Sequence, residues 1–112
     1  MKKTALICLI CTIILQGCGN QTKPMLLATI QSTNDHLIIE NGDHFVWENA
    51  IITVDEEYTY HMNYLPRGKT SIAYRLFTNE AGTTFQPGLL KVRKVEIMVP
   101  QPNDEKDLYY SW

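Results

Sequence analysis

The chain has 112 residues, a formal charge of −2, 45 % hydrophobic residues and 20 % charged ones. That composition excludes a disordered chain and a fibrous or repeat protein, and the length leaves room for one small domain. The weakly acidic balance argues against nucleic acid as a partner, because phosphate neutralisation needs clustered Lys and Arg.

Met1-Lys2-Lys3 forms a positive opening, followed by residues 5–15, apolar except for Thr12. About 11 residues is the length of a signal-peptide core, and it falls short of the roughly 20 that span a bilayer. The next segment, Leu15-Gln16-Gly17-Cys18, resembles the lipobox of bacterial lipoproteins. It has an aliphatic residue, then Gln16 where a small residue is more usual, then a small residue and the cysteine. The resemblance implies that residues 1–17 are a signal peptide. It also implies that the Cys18 sulfur carries a diacylglycerol and that the new α-amino group is acylated. More than one acyl chain gives stable anchoring. Gly19 is not Asp, which by analogy with enteric lipoproteins points to the outer membrane. An ordinary secretory signal ending near a cysteine is the alternative.

The cysteines fit this reading. Cys8 and Cys11 leave with the signal and Cys18 is capped, so the mature domain has no thiol to pair. Loss of two lysines from ten basic residues, against twelve acidic ones, leaves a mature charge of about −4. The lipid is then the only expected membrane attachment.

Residues 18–25 read as the lipidated cysteine and a short polar tether. Ordered structure is expected to start either near Met25, close to the membrane, or near His36. Residues 26–99 read as one β domain. Residues 26–30 and 37–39 are short strand candidates. Period-two alternation then marks Ala50, Ile52 and Val54; Tyr58, Tyr60, Met62 and Tyr64; Ile72, Tyr74 and Leu76; and Val95, Ile97 and Val99. Turn residues fall between the runs: Asn41-Gly42-Asp43, Asp55-Glu56-Glu57 and Leu65-Pro66-Arg67-Gly68. An irregular connection is expected over residues 78–90. Short strands at this spacing predict a small antiparallel β-sandwich of the immunoglobulin-like kind, with Trp47 in its core.

Phe45-Val46-Trp47-Glu48-Asn49, Ile52, Tyr58, Leu65-Pro66-Arg67-Gly68, Phe77, Gly82 and Phe85-Gln86-Pro87 carry a second resemblance. The chain is similar, over residues 37–99, to small uncharacterised bacterial lipoproteins with a single immunoglobulin- or fibronectin-III-like β-sandwich. That implies the fold and brings no activity with it.

Catalytic chemistry finds little support. Gly68-Lys69-Thr70 copies the end of a phosphate-binding loop, but Asn63 stands where the first Gly belongs and a strand follows instead of a helix. No nucleophile elbow is present. His36, His44 and Asp43 are the candidate metal ligands, assembled across a hairpin, although their spacing matches no dense metal motif. Asp55-Glu56-Glu57 reads as an exposed hairpin tip. Neither a cofactor nor an enzyme activity is expected.

Residues 100–112 read as a tail that leaves the domain through Pro100 and Pro102. It ends in Leu108-Tyr109-Tyr110-Ser111-Trp112. These apolar residues either fold back as an extra strand or dock to another protein, with Tyr109, Tyr110 and Trp112 as the anchors. The expected function is a non-enzymatic, lipid-anchored envelope module that binds another envelope protein. The alternative is a small-molecule, metal or glycan binder using loop residues near His36 and His44.

Overall fold

The computed structural model describes residues 25–102 and 105–112. The expected signal peptide and Cys18 lie outside the described residues. The chain is all-β, with two antiparallel sheets packed face to face. One sheet has the order β1 (Ala28–Ser32), β2 (His36–Asn41), β5 (Gly68–Ala73). The other has the order β4 (Tyr58–Leu65), β3 (Trp47–Val54), β6 (Val95–Val99), β7 (Leu108–Ser111).

Alternation sets the faces, as the sequence predicts. Leu37 and Ile39, Ile52 and Val54, and Val95, Ile97 and Val99 are buried between the sheets. Trp47 is fully buried with them. Leu26 is also in the core, so the fold starts right at the beginning of the described chain. Tyr74, Phe77 and Phe85 fill the core away from Trp47; Tyr74 and Phe85 have ring centroids 5.1 Å apart. Phe85 meets Tyr58 edge-on at 5.2 Å.

Both turns expected around Gly42 and Pro66 cross from one sheet to the other. Residues 42–46 carry the chain from β2 to β3, and residues 66–67 carry it from β4 to β5. These crossings define one end of the sandwich, the proximal end, where Met25 also sits. The hairpin at the opposite, distal end joins β3 to β4. There Glu57 N–H donates to the Val54 carbonyl at 3.1 Å, and Asp55 and Glu56 have φ of 53° and 60°. Positive φ at both central residues is the turn geometry that matches strand twist.

Two expectations need correction. The strand through Ile72, Tyr74 and Leu76 stops at Ala73, and residues 74–76 form a 3-10 turn. Tyr74 is buried there because its hydroxyl hydrogen-bonds Ser32 Oγ, while Leu76 faces solvent. Tyr64 does not share the inward face of Tyr58, Tyr60 and Met62. Inward positions on β3 shift from even numbers to Trp47, and on β4 from even numbers to Leu65. Both shifts occur beside Asn49, which has φ of 56°, and the facing Asn63. The left-handed Asn49 reverses the pleat, so Trp47 and Leu65 turn inward together and Tyr64 turns outward. Of the two alternatives for the C-terminal segment, residues 108–111 take the extra strand. They form β7, paired with β6 from Glu96↔Ser111 to Val99↔Leu108.

Candidate functional site

The proximal end carries a buried polar network. Asn41 closes β2 and its Oδ1 accepts from Asp43 N–H at 2.9 Å, an Asx turn. Its Nδ2 donates to the carbonyls of Phe45 and Leu65, at 3.0 and 3.2 Å. Asp43 Oδ2 accepts from Trp47 Nε1 at 2.9 Å and from Leu27 N–H at 3.3 Å. Arg67 Nε donates to the Asp43 carbonyl at 3.2 Å. One asparagine and one aspartate thus fasten both sheet crossings and the incoming strand. Among the described residues no buried side-chain nitrogen or oxygen lacks a partner.

This geometry takes Asp43 away from metal ligation. His44 is exposed next to it, with its ring edge-on to Phe45 at 5.4 Å. His36 begins β2 and lies at the other end of that strand. Six strand residues separate the two positions by roughly 20 Å. His36 Nδ1 instead meets Asp35 Oδ1 at 2.8 Å, and that hydrogen bond holds the Asp35 carboxyl below its ordinary range. Among the described residues no group of three or more His, Cys, Asp or Glu side chains is placed to hold a metal ion. His36, His44 and Asp43 are not brought together.

The acidic turn has a structural use that its sequence hid. Asp55 Oδ1 accepts from Arg93 N–H at 2.7 Å and Lys94 N–H at 2.8 Å, and Asp55 N–H donates to the Lys94 carbonyl at 2.8 Å. Lys94 Nζ also meets Glu56 Oε2 at 3.0 Å, which raises the Lys94 pKa. Asp55 therefore pins the long connection into β6 against the hairpin tip. Asp55 and Arg93 stand 38 positions apart in sequence, so the link gave no local signal.

The aromatic anchors of the C-terminal segment divide between faces. Tyr110 is partly buried against the core, while Tyr109 points outward and is 46 % exposed. Trp112 follows Tyr110 at period two, its N–H bonded to the Val95 carbonyl at 2.9 Å. The register places Tyr109, Met98, Ile51 and His61 in one row across β7, β6, β3 and β4. This row runs over the solvent face of the larger sheet. A row containing Tyr, Met and Ile on a wet face is the kind of surface that another protein covers.

A second apolar surface lies at the proximal end. Met25, Leu27, Phe45, Val46 and Tyr64 are all exposed there. Phe45 and Val46 line one side of a shallow groove of about 480 Å³, with Pro100 and Pro102 on the other. Among the described residues no helix is long and apolar enough to cross a membrane.

No family model matches the chain, and no curated protein or solved structure matches it either.

Proposed function

We propose that the protein is a lipid-anchored component of the bacterial envelope, held through Cys18 at the outer membrane, that acts by binding another envelope protein. The observation that carries the reading is the distance between anchor and fold. The lipobox-like Leu15-Gln16-Gly17-Cys18 is followed within eight residues by Leu26, which is already in the core. The domain is therefore presented right at the membrane surface. The Tyr109–Met98–Ile51–His61 row supports the binding role, since it faces solvent away from the core.

The domain is proposed to be immunoglobulin-like. Strand order supports this: with the strands lettered A, B, C, C′, E, F and G, the sheets read A-B-E and C′-C-F-G. This keeps the immunoglobulin arrangement, with the fourth strand beside C as in variable-type domains.

The test has two parts. Cys18→Ser in the full chain removes acylation, so the protein should either stay uncleaved, with the mass of the signal retained, or become soluble. A photo-crosslinking residue at position 61 should then give a discrete adduct in intact envelopes, and the same residue at position 89 should not. Unchanged detergent partitioning and mass in the Cys18→Ser chain overturns the anchor. The same adducts from both positions, or none from position 61, overturns the binding face.

A further inference from the structure

We propose that the proximal end of the sandwich rests on the lipid bilayer, with Met25, Leu27, Phe45, Val46 and Tyr64 at the headgroup interface. The inference rests on the lipoprotein reading and gives the anchored domain an orientation. Half of the large exposed hydrophobic residues among those described lie at this end. Strand topology brings them together from three places: the start of the described chain, the β2–β3 crossing and the end of β4.

The occupant follows from where the chain leaves the fold. Seven residue steps separate Cys18 from Met25. Fully extended they reach about 25 Å. An eight-residue strand such as β3 is about as long. The tether therefore keeps the proximal end within about 25 Å of the acyl chains, and the apolar residues gathered at that end decide which end turns to the bilayer. Apolar side chains with a tyrosine suit the interface, where amphipathic rings sit at headgroup level. Charges at this end are mixed: Arg67 and Lys106 are set against Glu48, Glu105 and Asp107, the last of which accepts from Gln101 N–H. The contact is accordingly apolar, and salt should not release it.

The test uses the full acylated protein in vesicles of phosphatidylethanolamine and phosphatidylglycerol. Cys18 is blocked by lipid, so single cysteines introduced as Leu27→Cys, Val46→Cys and Leu89→Cys each take one fluorescent label. All three positions are exposed, Leu89 at the distal end being 84 % so. A spin-labelled lipid with its nitroxide just below the headgroups should quench the labels at 27 and 46 and spare the label at 89. High salt should change nothing. Equal quenching at all three positions, or no quenching at 27 and 46 in acylated protein, overturns the orientation. Shielding of 27 and 46 in whole envelopes but not in protein-free vesicles overturns it in favour of a protein occupant. Mass spectrometry separates these outcomes from failure of the anchor: absence of acyl chains on Cys18 overturns the lipoprotein reading itself, and the orientation with it.

Discussion

The indole N–H of Trp47 donates to Asp43 Oδ2 at 2.9 Å, inside a site where both side chains are buried. The same oxygen holds Leu27 N–H, so one carboxylate joins the core tryptophan to the strand entering the fold. Burying a carboxylate is tolerated only when its hydrogen bonds replace those of water. Removing it leaves an indole donor and a backbone donor short of an acceptor. Asp43→Ala should therefore cost about 1–3 kcal/mol. Asp43→Asn keeps an acceptor oxygen and should cost less. Trp47→Ala should cost on the order of 3–5 kcal/mol, because it also opens a large cavity. Denaturation midpoints of the three single variants check the ranking. An Asp43→Ala chain as stable as wild type would show that the network contributes nothing net.

Asp55 makes a comparable link at the distal end. Asp55→Ala removes the acceptor for Arg93 and Lys94 N–H and leaves a non-glycine residue at φ of 53°. Stability should fall by about 1–2 kcal/mol, and the connection into β6 should become the first site of proteolysis. Asp55→Asn retains an acceptor and tolerates the left-handed conformation, so it should recover most of the loss. Limited proteolysis with mass mapping reads both effects. Cleavage that stays unchanged in Asp55→Ala would mean the connection is held by its other contacts.

Most of the strands were legible because one face of each is dry. The runs through Leu37 and Ile39, Ile52 and Val54, and Val95 to Val99 appear where period two placed them. Legibility failed where a distant partner, or a single backbone angle, decides the outcome. Asn49 and Asn63 look like ordinary polar positions, yet the left-handed Asn49 reverses the pleat of both strands. Tyr74 kept the alternation and still left the strand, because Ser32 lies 42 residues away in sequence and takes its hydroxyl. Asp43 looked like a metal ligand because Asp-His pairs suggest one, and nothing local revealed that Trp47 holds its carboxylate. The lipobox-like segment shows the opposite case: its signal is wholly local and is read without any distant partner.

The C-terminal strand gives a third prediction. Deleting residues 108–112 strips the ladder from β6 and uncovers Ile97 and Val99, which Tyr110 and Leu108 help to cover. Leu26 N–H also loses the Tyr109 carbonyl, to which it bonds at 2.9 Å. Stability should fall by about 1–3 kcal/mol, and the newly exposed edge should promote aggregation. Thermal unfolding and light scattering measure the two effects. A truncated chain with wild-type stability would assign the segment a docking role rather than a structural one.

Tyr74 gives a prediction in pH. Burial raises its pKa above the ordinary value of 10.0; the Ser32 hydrogen bond offsets part of that rise, and the Asp55 charge adds to it. The neutral phenol is thus favoured in the folded chain. Below pH 10.0 both folded and unfolded chains keep the proton, and the contribution of Tyr74 is fully present. Between the unfolded and folded values the unfolded chain releases its proton first, so it binds fewer protons than the native state. Stability then declines as pH rises, with the sign that linkage requires. Tyr74→Phe removes the titrating group and loses the Ser32 hydrogen bond, at a cost of about 1 kcal/mol near neutral pH. Its stability curve should be flatter than wild type above pH 10.0, so the two curves should converge as the solution becomes more alkaline. Urea midpoints measured across that range decide the matter: parallel curves would show that Tyr74 ionises no differently in the folded and unfolded chains.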